Sequence, residues 1–228
     1  VLSFLFLGMT LWGATHWSRS TDRKRLEIGA GILFALWSNC DQWFFLGPLT
    51  LGLILLGELI PFQLGNRSED RFDRKTLGLA LGVGLLACMV NPHHVNVWEL
   101  PEVFNSRAME VVADDPEMGL PFLGLRNPTF FDLAGASRVA NPVNSYALLF
   151  LFLFAAASFA FNALHLRWGH LFLFVAFAVL GSSRFRLVPF FAVVAAAVST
   201  WNYGEFAARL TSKPISPALA GLFGFPRL

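Results

Sequence analysis

Apolar residues come in seven long blocks along this chain: residues 1–17, 26–37, 43–60, 76–90, 143–164, 168–181 and 187–203. Within stretches such as 147–161, 171–180 and 188–198 no polar stripe recurs at helical spacing. A helix apolar all round must lie in lipid or inside a large core. A chain of 228 residues makes too small a core to bury seven of them, and a spanning helix needs about 20 mostly apolar residues. The pattern predicts an all-α fold: a polytopic transmembrane bundle of about seven helices, forming one domain over residues 1–228.

The polar segments between the blocks test that topology. If they alternate sides, one side holds residues 18–25, 61–75, 165–167 and 204–228, with twelve Lys and Arg, and the other holds 38–42, 91–142 and 182–186, with five. Cytoplasmic loops carry the excess of Lys and Arg. The expectation is therefore a multi-pass protein of the inner (plasma) membrane, with the long segment 91–142 outside the cytoplasm. Mixed stretches in that segment, Trp98-Glu99-Leu100-Pro101 and residues 118–122, suggest short helices lying on the membrane surface.

Composition agrees. The chain is 55% hydrophobic and 14% charged, against roughly 25% charged in soluble domains. Its 25 Phe and 7 Trp suit lipid-facing and interfacial positions. No basic face interleaved with aromatics is present, which argues against nucleic acid as a partner; membrane lipid is the expected one. Cys40 and Cys88 show no paired spacing. The apolar run at residue 1 has no basic region before it, and residues 221–228 look equally unfinished, so the chain reads as a piece of a longer one.

The second block is the short one. Residues 26–39 would span about 21 Å as a helix, against about 30 Å of hydrocarbon. Either the helix continues through Ser38 to Asp41, or it stops inside the membrane. An Asp at mid-bilayer costs at least about 2.5 kcal/mol, so both options put Asn39 and Asp41 in a polar cavity near the outer face, where they could hold a sugar hydroxyl or a cation. The plainer alternative is a turn in which Asn39 or Asp41 caps the third helix.

Other polar residues offer less. Asn91-Pro92 ends the fourth block as a helix stop. His93 and His94 would point about 100° apart on a helix, unlike the four-residue spacing of HExxH ligands, and no metal site is predicted there. The outer segment carries Glu99, Glu102, Glu110, Asp114, Asp115, Glu117 and Asp132, which could act as a base or hold a divalent cation or could simply be solvated turns. Arg184 and Arg186 stand on the charge-poor side, where guanidinium forks match phosphate or snorkel to lipid head groups. Pro189 is expected to kink the start of the seventh helix; Gly78, Gly82 and Gly84 form a small-residue face, in which Gly78-xxx-Gly82 is expected to pack helices. His16, His165 and His170 are not placed to hold haem, and no Walker, Rossmann or nucleophile-elbow motif is present.

Three segments carry a family resemblance. Trp37-Ser38-Asn39-Cys40-Asp41-Gln42-Trp43-Phe44-Phe45-Leu46-Gly47 resembles a Trp-(Ala/Ser)-Asn-x-(His/Asp) stretch followed by an apolar Leu-Gly run. Leu86-Ala87-Cys88-Met89-Val90-Asn91-Pro92 resembles a helix-ending Leu-x-x-x-x-Asn-Pro. Ser183-Arg184-Phe185-Arg186-Leu187-Val188-Pro189-Phe190-Phe191-Ala192 resembles an Arg-x-x-x-Pro-x-Phe-Ala segment. In that order they resemble bacterial multi-pass proteins related to the GT-C glycosyltransferases, among them protein O-mannosyltransferases and aminoarabinose transferases. The resemblance implies sugar transfer from a polyprenyl-phosphate donor on the outer face, to a protein, lipid or glycan. It implies that Arg184 and Arg186 hold the donor phosphate and that Asn39 and Asp41 line the substrate cavity; His93 and His94, at the end of the fourth block, are further substrate-binding candidates. Such enzymes usually carry their catalytic Asp or Glu in a first outer loop that this stretch does not show, and often have His where Asp41 stands, so no catalytic base is named. A transporter or permease subunit and a non-catalytic membrane scaffold are the alternatives.

Overall fold

The computed structural model describes residues 2–17, 23–60, 73–93, 142–183 and 187–212. Among these the chain is all-α, with seven α-helices and no strand: α1 (Leu2–Trp17), α2 (Arg23–Cys40), α3 (Leu46–Leu59), α4 (Arg74–Cys88), α5 (Pro142–Phe161), α6 (Trp168–Ser183) and α7 (Val188–Ser212). A 3-10 turn, Gln42–Phe45, leads into α3, and another, Ala163–His165, follows α5. Each apolar block becomes one helix. The surface helices predicted within 91–142 lie outside the described residues, as do Arg184, Arg186 and His94.

Local chemistry sets the boundaries. α2 does not break at Ser38; it runs on through Cys40 for 18 residues, about 27 Å. The polar break expected over 38–42 is thus one last helical turn plus one extended residue, Asp41. Asp41 caps the 3-10 turn, its carboxylate accepting the Trp43 N–H at 3.2 Å. A continuous α-helix from Gln42 is blocked by Pro48, which cannot donate to the Phe44 carbonyl and whose ring presses on it. α4 is capped by Asp73, which accepts from the Lys75 N–H and from the Thr76 hydroxyl at 2.8 Å. Pro142 is the first residue of α5, where its missing N–H costs nothing. Pro189 is likewise in the first turn of α7, so it starts that helix rather than kinking it.

Packing is by large rings on glycine. Phe34 of α2 is fully buried between α3 and α4: a Cβ on Gly84 would lie 2.4 Å from its ring, and one on Gly47 2.6 Å. α3 and α6 touch backbone to backbone, since a Cβ on Gly57 would meet the Gly169 nitrogen at 2.0 Å. The glycines expected to pack, Gly78 and Gly82, have nothing within 4 Å of a built Cβ; Gly84, two residues beyond Gly82 and about 200° around the helix, takes that role.

The contacts sort the helix termini into two ends. Gly31–Val83, Phe34–Gly84 and Asn39–Val90 make α2 and α4 parallel neighbours. Phe152–Phe191 and Asn162–Glu205 make α5 and α7 parallel, while His170–Asn202 and Gly181–Phe191 set α6 antiparallel to α7. Phe4 and Trp43 both stack on Phe190. One end therefore gathers the start of α1, the ends of α2, α4 and α6 and the start of α7; Asp41 lies there. The other gathers the opposite termini, with Arg167. Every Lys and Arg among the described residues lies at the Arg167 end: 23, 24, 25, 74, 75, 167 and 209. Between the ends no charged side chain occurs among the described residues. Large apolar side chains, including Leu5, Ile32, Leu36, Leu86, Phe150 and Val179, are exposed there. The stretch Gln42–Leu59 is long and apolar enough to cross a membrane, and shorter apolar helices are Leu2–Thr15, Ala147–Phe161 and Trp168–Gly181.

Candidate functional site

Helix C-termini leave their last carbonyls without helical partners, and at the Asp41 end side chains take them up. The Asn91 amide donates to the Ser38 carbonyl at 2.5 Å, and its oxygen accepts the His93 N–H at 2.9 Å. The Asn39 amide donates to the Val90 carbonyl at 2.8 Å and to Ala35 within its own helix at 2.7 Å. The ends of α2 and α4 are thus cross-stitched by two asparagines, one buried (Asn91) and one exposed (Asn39).

Beside this stitch runs a short donor chain. The buried indole of Trp37 donates to the Ser3 oxygen at 3.3 Å, and the Ser3 hydroxyl donates to the Asp41 carboxylate. One carboxylate oxygen thus takes Ser3 and the other takes the Trp43 N–H. A carboxylate offers about four lone-pair sites, so the half-exposed Asp41 keeps acceptor capacity for a hydroxyl approaching from outside the bundle. Phe4 and Trp43, the residues beside Ser3 and just after Asp41, both pack on Phe190 of α7.

Of the residues expected at a site, Asn39, Asp41 and His93 come together at this end. Both Asn39 amide hydrogens are engaged by backbone carbonyls, and Asp41 caps the 3-10 turn that leads into α3, as the turn alternative anticipated. Arg184, Arg186 and His94 lie outside the described residues. Among the described residues no three His, Cys, Asp or Glu side chains gather to hold a metal ion.

A second polar centre, at the Arg167 end, has no counterpart in the sequence reading. Arg167 pairs with Glu205 at 2.8 Å, the two side chains being 8% and 16% exposed. The other Glu205 oxygen accepts from the Asn162 amide at 2.8 Å. Arg209 donates to the Asn162 oxygen and, through Nε, to the Glu205 carbonyl at 3.0 Å. Asn202 reaches His170 at 3.3 Å and Ser158 at 3.0 Å, and His170 stacks on Trp201. The signal was present: Asn202, Glu205 and Arg209 recur at i, i+3 and i+7, one helical face, and Ser158 and Asn162 do so at i and i+4.

A small apolar cleft of about 20 Å³ lies between α1, α2 and α3, lined by Met9, Thr10, Gly13, Leu33, Phe34 and Leu51 among others. Thr10 is its one polar side chain and is bonded to the Phe6 carbonyl at 2.8 Å, so the cleft offers a sugar neither room nor a free polar group. Comparison with protein-family models, with curated proteins and with solved structures returned no match.

Proposed function

We propose that this chain is the polytopic membrane domain of a GT-C-like transferase that moves a sugar from a polyprenyl-phosphate donor at the Asp41 end, with that end facing away from the cytoplasm. One observation carries the proposal. The three separated segments of the family resemblance meet at one end of the bundle: Ser38 with Asn91, Asn39 with Val90, and Trp43 with Phe190. They also meet at the end where the described residues carry no Lys or Arg and Asp41 is the one carboxylate.

The membrane part rests on the exposed apolar belt and on the confinement of described basic residues to one end, the pattern of a cytoplasmic face. In the transfer itself, an outer-face carboxylate would take the acceptor proton as the hydroxyl attacks the anomeric carbon, and arginine would stabilise the phosphate that leaves. Arg184 and Arg186, in the segment joining α6 to α7, are the residues proposed for that phosphate. Asp41 is proposed to orient a sugar hydroxyl through its remaining lone pairs.

Two measurements test this. In a Cys40→Ser background, a membrane-impermeant maleimide applied to intact cells labels His93→Cys, and labels Lys75→Cys only after permeabilisation; the reverse pattern overturns the orientation. In isolated membranes, Arg184→Ala lowers consumption of a polyprenyl-phosphate sugar by about 10²-fold, the scale of losing one charge-stabilising donor. Unchanged consumption overturns the phosphate role.

A further inference from the structure

The start of α1 packs on the corner between α2 and α3 and brings one hydroxyl to Asp41. Ser3 is 2% exposed, and both of its hydrogen-bonding roles are filled. Its oxygen accepts the Trp37 indole N–H at 3.3 Å, and its hydroxyl donates to one Asp41 carboxylate oxygen. Chemistry sets the direction of this relay. An indole can only donate, so Ser3 accepts from Trp37 and its single proton is committed to Asp41. A hydroxyl that accepts one bond is polarised toward donating the next. Trp37 is fully buried and stacks on Phe6 of α1, ring centroids 5.5 Å apart, so packed side chains hold the relay at its inner end. The Trp43 N–H holds the other carboxylate oxygen. Asp41 is a single extended residue between α2 and the 3-10 turn, and two bonds, one on each oxygen, fix the plane of its carboxylate. The lone pairs left over on this half-exposed group therefore point in a set direction. An ionised carboxylate only accepts, so it receives an O–H or N–H there and repels a phosphate.

We infer that Ser3 is a positioning residue of the substrate site: through Trp37 and Ser3, α1 holds the Asp41 carboxylate in the orientation that receives a sugar hydroxyl. This rests on the transfer reading above and deepens it, because Ser3 lies outside the three segments of the family resemblance and makes α1 part of the site. Without the Ser3 hydroxyl, water bonds to the freed oxygen, but water does not hold the plane of the carboxylate. The loss falls on substrate binding.

The test uses the full chain in isolated membranes with a polyprenyl-phosphate hexose as donor. Ser3→Ala should raise KM about fivefold, the scale of one hydrogen bond, with kcat unchanged. Ser3→Thr, which keeps the hydroxyl, should restore the parent KM. Asp41→Asn should raise KM further, and adding Ser3→Ala to it should change nothing more, since a residue that acts through Asp41 has no effect of its own once the carboxylate is gone. That cycle decides the matter even if the extra methyl of threonine disturbs the buried position. Additive effects of Ser3→Ala and Asp41→Asn overturn the inference, as does a Ser3→Ala variant whose unfolding midpoint falls while KM stays. A parent chain that consumes none of the hexose lipid defeats the transfer reading and takes this inference with it, whereas a parent that turns it over with a KM indifferent to Ser3 defeats this inference alone.

Discussion

At the Asp41 end the helices are joined by neutral amides reaching backbone carbonyls, with one carboxylate half-exposed. At the Arg167 end they are joined by an ion pair with a second arginine, a histidine and two asparagines around it. Both arrangements satisfy helix termini, but their energetics differ. An amide-to-carbonyl bond contributes about 0.5–1.5 kcal/mol net, and losing one leaves a dipole without a partner. A buried ion pair gains little over an apolar substitute, yet losing one partner strands a charge, at about 3–5 kcal/mol. The Arg167 end is thus the rigid anchor of α5, α6 and α7. The Asp41 end is stitched lightly enough to leave its carboxylate available.

The largest effect should come from breaking the anchor. Glu205→Ala removes the carboxylate 2.8 Å from Arg167 and the Asn162 contact, and should lower stability by about 3–5 kcal/mol. Denaturant titration of the purified protein in mild detergent would measure it. Replacing both partners, Arg167→Met with Glu205→Leu, should fall within about 1.5 kcal/mol of the parent, because the desolvation cost of both charges disappears together. A double variant as unstable as the single one would show that the network fixes more than the pair.

Next comes Asn91→Ala at the opposite end. Asn91 is buried and serves both the Ser38 carbonyl and the His93 N–H. Stranding a buried carbonyl costs about 1–3 kcal/mol, so the loss should be clear but smaller than at Glu205. Equal losses at the two positions would erase the distinction between a charged and a neutral end.

The contrast between the ends was only partly legible in the sequence. Helix number and order follow from the apolar blocks, because a block of that length has few other ways to satisfy its backbone. The cap at Asp41 was one of two options, and the structure has Asp41 capping the 3-10 turn that leads into α3, just past a helix that Ser38, Asn39 and Cys40 extend. Ser38 and Asn39 looked like a break because their hydrogen-bond partners, Asn91 and Val90, lie some fifty positions away. Gly78 and Gly82 advertised packing that Gly84 performs, since helix rotation, which spacing alone leaves open, decides which glycine faces Phe34. The Arg167 network was hidden for a related reason: its members come from three helices, and only the α7 face at residues 202, 205 and 209 shows local periodicity.

A smaller effect is expected at Ser3→Ala. The hydroxyl joins the Trp37 indole to Asp41. Its loss leaves the indole N–H without that acceptor, at about 1 kcal/mol, while Asp41 can recruit water from its exposed side. Tryptophan fluorescence should shift with little change in stability, whereas a loss above about 3 kcal/mol would make this chain a structural core element rather than a tether.

The smallest stability effect should be at Asn39→Ala. Asn39 makes the same kind of bond to Val90 that Asn91 makes to Ser38, but it is exposed. The freed carbonyl is therefore re-solvated by water or a head group instead of being stranded, and the change should stay within about 0.5 kcal/mol, as for surface substitutions generally. The pair Asn39 and Asn91 thus isolates burial as the variable, with bond type and helix pair held constant. Asn39 also belongs to the segment proposed to face substrate, so its removal should raise KM for the polyprenyl-phosphate sugar while the unfolding midpoint stays put. If stability falls as far as for Asn91→Ala, the end is closed to solvent and cannot admit a donor; if neither quantity moves, Asn39 only stitches helices.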